Sequence, residues 1–125
     1  EAELLSGVVI FTPDDMKKAA MIIGNSGARN VVIKGGHLKE GAEAMDILFD
    51  GKGFLEFPSP RIKTRDTHGT GCAFASAIAT FLAKGSSVPE AVRAAKEYIT
   101  AAIRHGLRLG KGQGPINHFP HYCRF

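Results

Sequence analysis

A glycine-rich turn and a cysteine stand where a long alanine-rich helix is predicted to begin, in the stretch RDTHGTGCAFASAIATFLAKG at residues 65–85. A helix N-terminus has unpaired N–H groups and a partial positive charge, so it attracts anions. Gly69 and Gly71 would let those N–H groups approach an anion without obstruction by a side chain. A thiol at such a helix end ionises more readily, which makes Cys72 a candidate reactive group. The stretch predicts a phosphate site with a sulfur beside it.

Other interpretations of this turn remain open. It is neither a Walker loop nor a dinucleotide fingerprint, because neither Gly-Lys-Ser/Thr nor G-x-G-x-x-G occurs in the chain. A small cysteine among alanines is usually a packing residue, but Asp66, Thr67, two glycines and Cys72 at one helix start favour chemistry. A covalent cysteine nucleophile, as in a hydrolase or amidotransferase, is the rival enzyme class. Against it, Phe74 stands where a nucleophile elbow has glycine.

The N-terminal part of the chain predicts a helix followed by a buried strand. Residues 12–27 have a capping residue, Thr12, and a proline at the first helical position. The apolar run Val31-Val32-Ile33 is typical of a strand buried on both faces, and this order indicates a parallel α/β sheet. Such a strand needs neighbours on both sides, yet the chain predicts few others. Either a partner chain completes the sheet or the sequence is part of a larger domain.

The rest of the chain predicts a hairpin and two helices. Asp50-Gly51-Lys52-Gly53 separates two apolar runs within residues 45–58, which favours a hairpin. The helix after the glycine-rich turn is expected to run to about Lys84, and Ser87-x-x-Glu90 is a capping box for a second helix. Gly110, Gly112 and Gly114 follow in a turn-rich tail, which the sequence alone predicts to be a flexible linker.

Composition limits the remaining function classes. The 125 residues are 44% apolar and 22% charged with a net charge of +4, which is typical of one globular domain. No basic run has interleaved aromatic residues, so nucleic-acid binding is disfavoured, and the apolar runs are too short for a membrane span. Cys72 and Cys123 make a poor disulfide framework and fit a reducing cytoplasm. His118, His121 and Cys123 lack a fourth good zinc ligand.

Three stretches in this order resemble hydroxymethylpyrimidine/phosphomethylpyrimidine kinase, a family of the ribokinase-like superfamily that serves thiamine biosynthesis. They are VVIKGGH at 31–37, DTHGTGCAFASAIATFLAKG at 66–85 and GQGPINHF at 112–119. The resemblance implies ATP-dependent phosphorylation of 4-amino-5-hydroxymethyl-2-methylpyrimidine and its monophosphate, with ATP and Mg²⁺. Pyridoxal kinase is the nearest alternative within the family. The implied fold is the C-terminal part of a ribokinase-like three-layer α/β/α fold with a mainly parallel central sheet.

The resemblance also assigns roles to individual residues. Its anion hole for the transferring phosphoryl group matches four residues here, Thr67, Gly69, Thr70 and Gly71. Cys72 stands where the family has its catalytic base. Lys34 matches a lysine expected near the nucleotide phosphates. Glu1 matches the last residue of an Asn-x-x-Glu motif that organises Mg²⁺.

The resemblance covers only the C-terminal half of such an enzyme. Residues 1–125 would then be the nucleotide- and phosphoryl-binding portion of a single kinase domain, with the N-terminal substrate half absent. The expected partners are a small pyrimidine substrate and either further copies of this chain or the missing half, with no nucleic acid and no membrane. A non-catalytic nucleotide-binding fragment is the remaining alternative.

Overall fold

The computed structural model describes residues 1–36, 38 and 43–120, and the chain divides into two compact units, residues 1–61 and 62–125. The N-terminal unit holds α1 (Ala2–Ser6), α2 (Pro13–Asn25), β1 (Val31–Ile33), β2 (Glu43–Phe49) and β3 (Phe54–Pro60). The C-terminal unit holds α3 (Thr70–Ala83) and α4 (Val88–Arg104). The predicted α/β class is confirmed.

Helix α2 begins at the residue that the sequence predicts. The Thr12 hydroxyl accepts a hydrogen bond from the Asp15 N–H at 3.2 Å, and the Asp15 carboxylate accepts one from the Thr12 N–H at 3.0 Å. These reciprocal bonds form a capping box, and Pro13 follows at the first helical position. The helix packs Met16, Ala19 and Ala20 into the core of the unit, against side chains of β1 and β2.

The described strands form an antiparallel sheet in the order β1-β2-β3. The hairpin between β2 and β3 is confirmed, because the Asp50 carboxylate accepts hydrogen bonds from the N–H groups of Lys52 and Gly53 at 2.8 Å each. Gly51 has a positive φ of 86°, which glycine adopts without strain.

The prediction of a parallel sheet is not met by these strands. Residues 34–42 join β1 to β2 and residues 50–53 join β2 to β3, whereas parallel neighbours need a crossover of about a dozen residues or more. Strand β1 also has a neighbour on one side only among the described strands. Val31 and Ile33 are nevertheless buried, since they pack into the core with α2.

The C-terminal unit is built on two packed helices. Helix α4 begins at the predicted capping box, where Glu90 accepts hydrogen bonds from the Ser87 N–H and hydroxyl at 2.9 and 2.6 Å. Its buried stripe includes Val92, Ala95, Ile99 and Ala102. Helix α3 ends before Gly85, which has a positive φ of 93°. None of the helices in the described ranges is long and apolar enough to cross a bilayer.

Candidate active site

The glycine-rich turn leads into α3 and leaves the helix end open. Gly69 is the N-cap with a left-handed φ of 88°, a conformation that costs other residues about 1–2 kcal/mol. The first turn contains no acidic residue, and no side chain caps it. Within the described residues the backbone N–H groups of Gly71 and Cys72 have no hydrogen-bond partner. Unpaired donors at the positive end of a helix are the elements of an anion site.

A segment after α4 supports the turn from the other side. The His68 N–H donates to the Gly114 carbonyl at 3.0 Å, and the Ile116 N–H donates to the His68 carbonyl at 3.3 Å. His68 and Pro115 thereby form a short parallel bridge. The prediction that this glycine-rich tail is a flexible linker is therefore wrong at Gly114, which is buried against the turn. Its contacts are with residues far away in the sequence, which a local pattern does not show.

Asp66 lies beneath the turn in a close-fitting space. The residue is 2% exposed, and its Oδ1 atom has no hydrogen-bond partner within the described residues. The Cβ of any side chain at position 106 would lie 2.6 Å from the Asp66 Cβ, and one at position 114 would overlap the Asp66 Oδ1. Two glycines are thus required where the tail passes this side chain.

A cavity of about 630 Å³ opens beside the turn. One wall is a face of α3, and Tyr98, Pro115 and His118 lie across from it. Its lining is largely apolar with a few hydroxyl and imidazole groups, which is the common character of small-molecule sites. The α3 face contributes Cys72, Ala73, Ser76, Ala77, Thr80 and Phe81.

Cys72 is exposed and lines this cavity at the first turn of α3. The interpretation of Cys72 as a packing residue is therefore wrong, since the buried residues of that turn are Ala73 and Phe74. The thiol instead faces space that a ligand can occupy. His68, which precedes it by one helical turn, lines the same cavity.

The predicted site residues fall into two groups. The structure brings Thr67, Gly69, Thr70, Gly71 and Cys72 together in one continuous turn of the C-terminal unit. Lys34 and Glu1 belong to the N-terminal unit, so their roles stay predictions. Glu1 is exposed as the N-cap of α1.

The strand end that carries Lys34 has a fixed backbone. The N–H of the next residue, Gly35, donates to the buried Asp46 carboxylate at 3.0 Å. A Cβ at Gly35 would overlap the Met45 carbonyl oxygen, so only glycine fits there. Lys34 itself is exposed.

The described residues contain no group of three or more His, Cys, Asp and Glu side chains that could hold a metal ion. His37, His121 and Cys123 lie outside the described residues. Mg²⁺ is commonly held by one or two carboxylates together with substrate phosphates. Glu1 could supply one carboxylate, but the described side chains do not build a metal site alone.

The family of this chain follows from a comparison of sequences. A family model described as phosphomethylpyrimidine kinase matches residues 1–117. The chain belongs to this family. A Geobacter sulfurreducens thiamine biosynthesis bifunctional protein is 56% identical over 94% of this chain and 24% of its own length. The Bacillus subtilis hydroxymethylpyrimidine/phosphomethylpyrimidine kinase is 45% identical over 95% of this chain and 44% of its own length.

Solved structures of kinases have the same fold. A Bacillus subtilis pyridoxal kinase, solved as an ADP complex, matches with a TM-score of 0.92 and 45% identity over 96% of this chain and 47% of that one. A Staphylococcus aureus pyridoxal kinase in complex with AMP-PCP and pyridoxal matches with a TM-score of 0.92 and 37% identity. This match covers 96% of this chain and 45% of that one. The chain therefore spans less than half the length of these members of the phosphomethylpyrimidine kinase family and their structural relatives.

Residues that the sequence interpretation missed lie around the turn rather than in it. Tyr98, Pro115 and His118 line the cavity, and Arg65 donates to the Gly110 carbonyl of the segment that contains the last two. The GQGPINHF stretch, which carried the family resemblance without an assigned role, signalled residues 112–118 only, and no local pattern singled out Arg65 or Tyr98.

Proposed function

We propose that this chain supplies the nucleotide- and phosphoryl-binding half of an ATP-dependent kinase that phosphorylates a hydroxymethylpyrimidine and its monophosphate. The observation that carries the proposal is the open N-terminus of α3, with unpaired N–H groups and the exposed Cys72 thiol beside a cavity. Family membership supports a kinase over a cysteine hydrolase or amidotransferase. The ribokinase-like three-layer arrangement with a mainly parallel sheet is part of the same proposal, for the complete domain.

The turn would stabilise charge on the transferring phosphoryl group. Phosphoryl transfer has a loose transition state, so positioning and electrostatic stabilisation contribute more than nucleophile activation. The N–H groups of Gly71 and Cys72 are held in place by the helix before any ligand binds. Preorganised donors need no reorientation as charge develops, and this makes them effective in the transition state. Lys34 would add a positive charge at the phosphates.

Cys72 would act as the general base. As the primary alcohol oxygen of the substrate forms its bond to the terminal phosphorus of ATP, the bond from that phosphorus to the ADP oxygen breaks. The alcohol proton passes to the Cys72 thiolate late in the reaction, and ADP leaves. A group of this kind contributes about a hundredfold or more to the rate. Mg²⁺, when bound with ATP, would neutralise phosphate charge, with Glu1 as one carboxylate.

The cavity beside the turn has the size of a small-molecule site, and we assign it to the nucleotide. Its volume of about 630 Å³ falls in the range of ligand sites, roughly 300–1,000 Å³. A ligand whose phosphate lies at Gly69–Cys72 would extend along the α3 face.

Because the structural relatives include pyridoxal kinases, a pyridoxal-type alcohol is the second candidate substrate. Competition between the two alcohols in one phosphorylation assay distinguishes them.

The phosphate site is tested by titrating the chain with ADP or pyrophosphate and following its backbone amide resonances. We expect shifts concentrated at residues 69–73. The N-terminus of α4 is a built-in control, since its capping box already occupies its donors and residues 87–90 should respond little. No response at 69–73, or an equal response at both helix ends, would contradict the anion site.

A further inference from the structure

We infer that Arg65 is a positioning residue for the phosphate site, although it stands outside the turn and the cavity. This inference rests on the proposed function. The Arg65 Nη2 donates to the Gly110 carbonyl at 2.9 Å, and Nη1 donates to the neighbouring Lys111 carbonyl at 3.3 Å. One guanidinium thus holds two consecutive peptide groups of the segment that follows α4.

The segment that Arg65 holds is in direct contact with the proposed site. Beyond Lys111, the Gly114 carbonyl and the Ile116 N–H bond the backbone of His68, immediately before the N-cap of α3. Pro115 and His118 line the cavity, and the Tyr98 hydroxyl donates to the His118 carbonyl at 3.1 Å. The segment is therefore one wall of the ligand space and a support of the turn, with Arg65 at one end and Tyr98 at the other.

The Arg65 end of the segment needs an external restraint. Arg108 and Gly110 have positive φ values of 51° and 71°, and the left-handed conformation is unfavourable for a residue with a Cβ such as Arg108. Residues 107–113 are all exposed, so burial contributes little to their order. Because burial does not order this part of the segment, we infer that the two hydrogen bonds from the planar Arg65 guanidinium hold its backbone in place.

The geometry favours positioning over direct contact with a phosphate. Arg65 is absent from the lining of the cavity, and both of its terminal nitrogens already donate to carbonyl oxygens. A residue that orders a binding wall in advance reduces the entropy that the ligand would otherwise lose on binding. Arg65 should accordingly act on nucleotide affinity through the segment and not through its charge.

The test compares Arg65→Ala and Arg65→Lys in the full chain, with Arg93→Ala on the exposed face of α4 as the matched loss of one charge. The first readout is the ADP dissociation constant from the amide shifts at 69–73. The second is the fast backbone motion of residues 110–114 from nitrogen relaxation. We expect both Arg65 variants to raise the dissociation constant about fivefold and to increase that motion. Arg93→Ala should change neither.

The Lys variant separates the two possible roles of Arg65. If Arg65→Lys keeps the wild-type affinity while Arg65→Ala loses it, the charge matters and the positioning role is wrong. Unchanged ADP affinity in both variants also overturns it, as does weaker binding with no change in the motion of 110–114. A wild-type chain that binds no ADP would instead contradict the proposed function itself. If Arg65→Ala does not fold, Arg65→Lys with the same two readouts decides.

Discussion

At the scale of single residues, Cys72 differs from its neighbours in its exposure. Its neighbours Ala73 and Phe74 are buried, while its thiol faces the cavity. We expect Cys72→Asp to keep measurable phosphorylation, because a carboxylate can also accept the alcohol proton. Cys72→Ala should lower the rate about a hundredfold. The assay is ADP release with hydroxymethylpyrimidine in a protein that joins this chain to the N-terminal half of a relative.

Two further results complete that test. Ala75→Ser, at an exposed position of the next α3 turn, should leave turnover close to wild type. A thioester trapped on Cys72 with an acyl substrate would overturn the role of base in favour of a covalent nucleophile.

The contact between Asp66 and Gly114 gives a prediction about stability. A methyl group at 114 would overlap the Asp66 carboxylate, so Gly114→Ala should reduce the free energy of unfolding by about 1–3 kcal/mol. Adding Asp66→Ala to this variant should recover part of the loss, since only an ordinary contact of 3.5 Å with the Asp66 Cβ would remain. Urea unfolding of the four proteins in this double-mutant cycle measures the effect.

Gly112→Ala is the matched control for Gly114→Ala. A Cβ at Gly112 meets no atom within 4 Å, and the two positions lie in the same segment. Equal destabilisation by both substitutions would mean that chain flexibility, and not the contact with Asp66, determines the loss.

At the scale of elements, the sequence predicted what local interactions determine. The caps at Thr12 and Ser87 and the turn at Asp50 involve residues within three positions of one another, so their patterns are visible in the chain. The glycine-rich turn before α3 is local in the same way, and its binding of an anion stays a prediction. Strand direction and the contacts of the 110–118 segment depend on residues far apart in sequence. The sequence therefore did not predict the antiparallel order of the three described strands, and its prediction of a flexible linker was wrong at Gly114.

The capping box of α2 predicts a specific dependence of stability on pH. The hydrogen bond from the Thr12 hydroxyl, followed by that from the Phe11 N–H, lowers the pKa of Asp15. A lowered pKa means that the ionised carboxylate stabilises the folded state above the unfolded pKa of about 3.9, and that this stabilisation is lost as the pH falls through the folded pKa. Thr12→Ala should cost about 1 kcal/mol at pH 7.

Urea unfolding at pH 7 and at several values down to pH 2.5 measures this dependence. The difference between wild type and Thr12→Ala should shrink as the pH falls, because the protonated Asp15 no longer accepts the hydroxyl bond as a carboxylate. Asp14→Asn is the control, since it removes a charge from the same helical turn without removing a capping hydrogen bond. A difference that stays constant with pH would show that the loss comes from the bond that the Thr12 hydroxyl accepts from the Asp15 N–H, and not from its bond to the Asp15 carboxylate.

At the scale of the whole molecule, the N-terminal unit has several large apolar side chains that are exposed. Leu4 and Phe11 are 88% and 78% exposed, and Leu5 and Val9 are also exposed. Matched relatives are more than twice as long as the part that this chain covers. We interpret the apolar surface as the place where the remainder of the kinase domain packs. In the absence of that remainder, further copies of the chain would cover it and cause self-association.

This interpretation predicts that the 125-residue chain binds nucleotide weakly and phosphorylates no pyrimidine at a meaningful rate. Transfer requires the alcohol in line with the terminal phosphate, and that alignment supplies much of the rate. The aromatic residues Phe57 and Phe74 are buried in the cores of the two units and cannot stack on a substrate ring. Joining the N-terminal half of a relative, fused or as a separate chain, should restore ADP release with hydroxymethylpyrimidine. A fused protein with Cys72→Ala reports the background. Robust turnover by the isolated chain would place the substrate site within these residues. It would contradict the proposal that this chain binds the nucleotide while the N-terminal half binds the substrate.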